Sequence, residues 1–283
     1  MSSTSITLTS GMRKNLFSLQ NTSKLLETTQ KRLATGLRVQ NAVDDPVNYF
    51  TALSHRQRAT DLGSRKDEMS ESVQLIQAAN QGVESITSLI ASAKSLTQSA
   101  LSAATTSEVD TLGNQYQEVL NQIDFLAADS GYKGVNLLES TAVTHEVKFD
   151  ETGDSKLSMT GFDASSEGAT LSLNTYGSGS WADNATGVLD KDAMNAAIAQ
   201  LDSARSALRS EASKLSTNLS TITIRQDFTS GMINTLEDGA AELTNADMNE
   251  EGANMLMLQT RQSLGTTSLS LASQAAQSVM RLF

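Results

Sequence analysis

The sequence predicts a mainly α protein: long antiparallel helices forming a coiled-coil or helical-bundle rod, the N- and C-terminal helices paired, and a small β-hairpin region. Three observations carry this. Apolar and small residues recur at alternating steps of three and four over several long stretches, the spacing of helices that pack through one seam. The chain has 1 proline in 283 residues, so little interrupts those helices. Near the middle the period falls to two on either side of Glu151-Thr152-Gly153-Asp154, a hairpin signature.

Leu16, Leu19, Ser23, Leu26, Gln30, Leu33 and Leu37 make the first seam, which wants a partner helix because Ser23 and Gln30 weaken it. Gly36 softens the helix, and the chain runs through Arg38 and Asn41 to Asp44-Asp45-Pro46, an acidic cap with proline at the first helical position. The next helix is expected from Pro46 to Ala100, with Met69, Val73, Ile76, Asn80, Val83, Thr87 and Ile90 in heptad spacing. Gly63 and Gly82 are its soft points, each costing about 1 kcal/mol relative to Ala, with a break expected, if anywhere, near Leu62-Gly63.

Ala103 to Ser107 reads as a turn. Val109, Leu112, Tyr116, Val119, Ile123 and Leu126 then form a seam that ends at Asp129-Ser130-Gly131. Val143 to Phe149 and Lys156 to Thr160 are the expected strands, Ala169 to Tyr176 a further one, and Gly177 to Gly187 a loop around Trp181. Helix resumes at the Asp190 cap with Met194, Ala197, Leu201, Ala204, Leu208, Leu215, Leu219 and Ile222, and continues toward Gly239. The last helix, Met255 to Phe283, carries a broad stripe that includes Met257, Leu264, Leu271 and Leu282.

Lys and Arg number 21 against 32 Asp and Glu, a net charge of −11, which argues against a nucleic-acid or anionic-membrane partner. The charge is uneven: residues 1–44 carry +4 and residues 245–283 carry −1, leaving an acidic middle. No cysteine is present, so disulfides and thiolate metal sites are excluded. His55 and His145 stand alone, without HExxH spacing, and no GxSxG, P-loop or GxGxxG occurs; no cofactor and no enzymatic activity are expected. Asp44-Asp45 and Asp247 with Glu250-Glu251 read as helix starts, and Met255 and Met257 as adaptable packing. No apolar run approaches the ~18 residues of a membrane span, and the start lacks the apolar core of a secretory signal.

Four runs resemble bacterial flagellin in their order and placement: QKRLATGLRVQNAVDDP (Gln30 to Pro46), QLIQAANQGVESI (Gln74 to Ile86), GYKGVNLL (Gly131 to Leu138) and Asn254 to Phe283. The resemblance implies an inner terminal coiled-coil domain from residues 1–44 with 245–283. It also implies a rod-plus-hairpin domain from 45–162 with 190–244, leaving 163–189 as a short surface excursion in place of outer domains. The implied function is that of a structural subunit, secreted without a cleaved signal, which polymerises into the extracellular filament used for motility. Its partners would be further copies of itself, an export chaperone, and hook-associated and cap proteins.

On that reading Leu16, Leu19, Leu26, Leu33, Leu37, Met257, Leu264, Leu271 and Leu282 are the polymerisation seams. Arg38, Asn41, Asp44, Asp45 and Pro46 are the joint between the two domains, and the hairpin near Lys148 to Lys156 sets intersubunit register. Ser92 and Ser95 stand where some flagellins carry the arginine and glutamate read by an innate immune receptor, which implies weak activation of that receptor. A hook-filament junction protein with similar end motifs, or a secreted adhesin on a helical stalk, are the alternatives.

Overall fold

The structure is a computed structural model, which describes residues 10–177, 180–183 and 188–280. Five helices dominate: α1 (Ser10–Thr35), α2 (Pro46–Ser102), α3 (Thr106–Asp129), α4 (Lys191–Thr244) and α5 (Met248–Met280). Between α3 and α4 lie two antiparallel pairs, β1 (Thr144–Lys148) with β2 (Lys156–Thr160), and the very short β3 (Ala182–Asp183) with β4 (Val188–Leu189). The described parts of 1–57 and 235–283 pack as one compact unit, and 58–234 as another.

The predicted helix signals operate locally. Asp45 caps α2 by accepting from the Asn48 amide at 3.1 Å, Thr105 caps α3 through Glu108 N, and Asp190 caps α4 through Ala193 N at 2.9 Å. α2 runs without a break through Gly63, where nothing lies within 4 Å of an added Cβ. Continuous packing on either side of that residue overrides its low propensity. α4 likewise passes Gly239 and ends at Thr244, and α5 begins at Met248, seven residues before the predicted Met255.

The heptad rows are correct in one half and shifted in the other. On α2 the buried row is Met69, Ser72, Ile76, Ala79, Val83, Ile86, Ile90, Ala93, Thr97 and Ala100, so Ser72, Ala79 and Ile86 hold the alternate positions in place of Val73, Asn80 and Thr87. α3 shows the same shift: Val109, Gly113, Tyr116, Leu120, Ile123 and Ala127 are buried, while Leu112, Val119 and Leu126 flank them. A large residue fixes one row of a seam, but either neighbouring position can supply the other; the smaller side chain is taken at Ser72, Ala79, Gly113 and Ala127, and the larger at Ile86 and Leu120.

The unit of residues 58–234 packs α2, α3 and α4 around this core with the hairpin and the segment between the strand pairs. Lys94 pairs with Asp202 at 2.6 Å and Gln226 donates to Ser70 at 2.9 Å, so α2 and α4 are antiparallel neighbours. The turn after α3 is a tight two-residue reversal, with Tyr132 and Val135 exchanging backbone hydrogen bonds across Lys133 (φ 48°) and Gly134 (φ 80°). Buried Asn136 finishes it by donating to the last carbonyls of α3, Ala127 and Ala128, at 2.8 and 2.9 Å. Beside it Gly82 lets Ser130 and Leu138 approach; an added Cβ would lie 2.9 Å from Leu138 Cδ2.

Strand pairing in the hairpin matches the expected runs, with Thr144 opposite Thr160 and Lys148 opposite Lys156. Asp150 organises its loop by accepting from Gly153 N at 2.7 Å and Ser155 N at 3.2 Å. The expected strand over Ala169 to Tyr176 does not form. Leu173 N instead bonds Ser166 O, Ser172 takes φ 48°, and Leu171, Leu173 and Tyr176 turn into the core. Trp181, expected in a loop, is buried against Tyr116 (ring centroids 4.9 Å) and Tyr176 (5.1 Å). Burial pushes the Tyr116 phenol up to about 12. Residues of 163–189 expected as a surface excursion thus contribute buried side chains; 178–179 and 184–187 lie outside the described residues.

Gly113 is needed where α3 meets the Tyr176 ring, which a Cβ would penetrate. Gly113→Ala should destabilise the protein by about 1–3 kcal/mol in chemical denaturation, whereas Gly63→Ala should stabilise it by roughly 0.5–1 kcal/mol. On β1, half-buried His145 lies 3.0 Å from Ser72 Oγ, whose own proton goes to Glu68 O, so the imidazole Nε2–H donates. Burial lowers the His145 pKa below 6.5. The unfolded chain therefore takes up this proton first, and stability falls as pH drops from about 7 toward 5. Denaturation midpoints across that window should fall more steeply for the wild type than for His145→Gln.

Candidate assembly site

α1 and α5 pack closely along their lengths. Arg32 reaches Glu251 at 2.8 Å, and Gly265 sits under Leu19, whose Cδ1 would be 2.8 Å from an added Cβ; the two helices are antiparallel. The row on α1 toward α5 is Met12, Asn15, Leu19, Thr22, Leu26, Thr29 and Leu33, all buried or half-buried. The answering row on α5 is Glu251, Met255, Leu258, Gln262, Gly265, Leu269, Ala272 and Ala276. Leu19, Leu26 and Leu33 therefore occupy their predicted seam. The polar positions are Thr22 and Thr29, one residue from the expected Ser23 and Gln30, which are exposed.

Most of the other predicted seam leucines do not meet within the chain. Leu16 is 39% exposed, and on α5 Met257 (44%), Leu264 (66%) and Leu271 (61%) point away from α1. Leu282 lies outside the described residues. Leu37 lies beyond the end of α1 and forms a backbone bridge with Asn245. Three apolar side chains that the seam pattern did not select are also exposed here: Phe17 and Leu25 on α1, and Leu256 on α5. Once α1 and α5 have paired, an apolar row therefore remains wet on each.

The turn after α1 is clasped to the turn between α4 and α5. Gly36 takes φ 72°, ends α1 through its bond to Arg32 O, and accepts from Ala246 N at 2.9 Å. Arg38 N and Val39 N both donate to Thr244 O, and the Arg38 guanidinium donates to Leu243 O at 3.2 Å. Arg56, in the first turns of α2, adds a bond to Thr244 Oγ1 at 3.1 Å. Asp44 closes the loop by accepting from Gln40 N and Asn41 N, both at 3.1 Å; these two amides are the main reason its carboxyl titrates below the ordinary aspartate value. The predicted joint residues Arg38, Asn41, Asp44, Asp45 and Pro46 thus form one bonded segment, whose partner at 243–246 no sequence signal had indicated.

Among the described residues no three His, Cys, Asp or Glu side chains gather as metal ligands, and no helix is long and apolar enough to cross a membrane. Paired terminal helices with unsatisfied apolar rows, and long helices carrying a small hairpin, agree with the relationships of the sequence. Residues 7–142 match the bacterial flagellin N-terminal helical region, and residues 192–283 match the bacterial flagellin C-terminal helical region. The chain belongs to the flagellin family.

Among similar proteins is a flagellin of Brucella melitensis, 26% identical over 274 residues and aligned over 95% of both chains. Flagellin FljK of Caulobacter vibrioides is 26% identical over 287 residues, covering both chains completely. A crystal structure of Bacillus cereus flagellin is similar at a TM-score of 0.46 and 17% identity, covering 57% of this chain and 88% of that one. Flagellins are structural subunits of the extracellular flagellar filament, and this chain is a subunit of that kind. Ser92 and Ser95, the departures noted from the flagellin pattern, are exposed on α2.

Gly265→Val would drive a branched side chain into Leu19 and should lower the melting temperature of assembled filaments. Gly252→Ala, whose added methyl meets open space, should leave it unchanged or raise it.

Proposed function

We propose that the terminal helix pair is the assembly element of this flagellin and that it folds when neighbouring copies cover it. The observation that supports this reading is the apolar surface left on both helices after they have paired: among the described residues, Phe17, Leu25, Leu256, Leu264 and Leu271 stay exposed. Covering such rows with the same helices of adjacent copies is favourable at about 25 cal/mol per Å². A head-to-tail arrangement of identical contacts whose rotation does not close grows as an open helix, which is the geometry of a filament.

A lone antiparallel pair buries one stripe per helix, and isolated helices are costly to nucleate, so the pair is marginal until neighbours arrive. In this reading the pair, built from residues 1–44 and 245–283, is the inner domain. The hairpin around Lys148 to Lys156 takes part in setting subunit register. The partners are other copies, an export chaperone, and hook-associated and cap proteins. An end that stays unfolded also suits export as an extended chain.

Deleting residues 245–283 should leave a soluble monomer that does not assemble, seen by sedimentation and electron microscopy. In the full chain, amides of residues 12–33 and 251–276 should exchange quickly in dilute monomer and be protected in filaments. Filaments from the deletion, or equal protection in both states, would overturn this reading.

A further inference from the structure

Of the charged features of the molecule, the cleft of about 350 Å³ beside α1 stands apart. It is lined by Lys24, Glu27, Thr28, Lys31, Arg32, Arg38, Gln40 and Asp44, so four cations face two carboxylates. One of those carboxylates, Asp44, is engaged by the amides of Gln40 and Asn41, and Arg32 is engaged by Glu251. Lys24, Lys31 and Arg38 have no carboxylate within ion-pairing distance among the described residues, and Arg38 bonds only the neutral carbonyl of Leu243.

The same compact unit carries the opposite feature. From Gln226 to Thr260 the sequence contains seven acidic residues and no lysine or arginine. Asp238 and Glu242 are exposed one turn apart near the end of α4, with Glu237 beside them and Glu250 in the first turn of α5. None of these four forms an ion pair with a described residue of its own chain. Among the described residues Arg32 with Glu251 is the one ion pair between the basic and acidic stretches, which also meet through the bonds of Arg38 to Leu243 and Thr244.

We propose that the cleft on α1 receives the acidic corner between α4 and α5 of a second copy, with Lys24 and Lys31 facing Asp238 and Glu242. This rests on the assembly reading above and adds charge selectivity to it. Apolar rows associate without regard to sign, whereas the basic cleft and the acidic corner, which adjoin at Arg32–Glu251 and Arg38–Leu243, can meet another copy only cation to anion. Like-charged approaches, cleft to cleft or corner to corner, are repelled. The pairing is between exposed groups, so it governs which contacts form and how salt affects them more than total affinity.

The test uses the full chain and reads the critical concentration for filament formation by sedimentation, from about 0.05 to 0.5 M NaCl. Wild-type assembly should weaken with rising salt. Lys24→Glu with Lys31→Glu, and separately Asp238→Lys with Glu242→Lys, should each raise the critical concentration about tenfold at low salt, and a chain carrying all four reversals should recover most of the loss. That recovery guards against mere misfolding of the single-sided variants.

If the wild type forms filaments and neither double variant differs from it, the pairing is wrong while the assembly reading stands. Loss in the lysine variant without recovery in the four-fold variant would place another anion in the cleft and overturns the pairing as well. A wild type that forms no filaments in any salt removes the assembly reading and the pairing together.

Discussion

Two helices cannot bury each other's whole apolar surface, and this limit governs the terminal half of the molecule. α1 meets α5 through a single heptad row, and that row is closed with threonine, glycine and alanine at the points of nearest approach. Small side chains bring the backbones together but bury little area, so the pair gains contact without gaining much of a core. The unit of residues 58–234 escapes the limit because three helices, a hairpin and an irregular segment surround one another there, and residues such as Ile76, Ile90, Leu120 and Leu201 are fully enclosed. One unit thus encloses its own core, while the other leaves Phe17, Leu264 and Leu271 exposed after its helices have paired.

Helix existence and type were readable from sequence because low proline content, capping residues and period all agree. The finer register was readable only in part. Leu19, Leu26 and Leu33 define one line along α1, but a second line can lie on either side of it, and sequence reasoning selected the side with Ser23 and Gln30 over Thr22 and Thr29. The same one-residue shift occurs on α2 and α3, where Ala79, Gly113 and Ala127 are buried in place of the bulkier Asn80, Leu112 and Leu126. Hydropathy alone favours size, whereas the distance between backbones favours its absence, and that distance is a tertiary quantity. On α5 the spacing of Leu264 and Leu271 marks a stripe, but does not reveal that these two side chains stay exposed when α1 and α5 pair.

Two features were poorly legible in the sequence. The segment from Asp163 to Leu189 reads as a surface excursion with one alternating run at Ala169 to Tyr176, yet it forms no strand there and turns Leu171, Leu173, Tyr176 and Trp181 into the core. The backbone bonds joining residues 36–39 to 244–246 involve main-chain groups that any residue carries. Only Gly36, which must adopt a positive φ, left a trace of that turn in the sequence.

Those bonds also impose an order of events. Arg38 and Leu243 are 205 positions apart, so the first turn of the chain cannot be tied off until nearly the last helix has been synthesised. Residues 58–234 can acquire their enclosed core earlier, while the amino-terminal segment still waits for its partner. The subunit therefore carries its own completeness criterion: a chain interrupted before Leu243 can enclose the core of residues 58–234 but lacks the carbonyls to which Arg38 and Val39 bond.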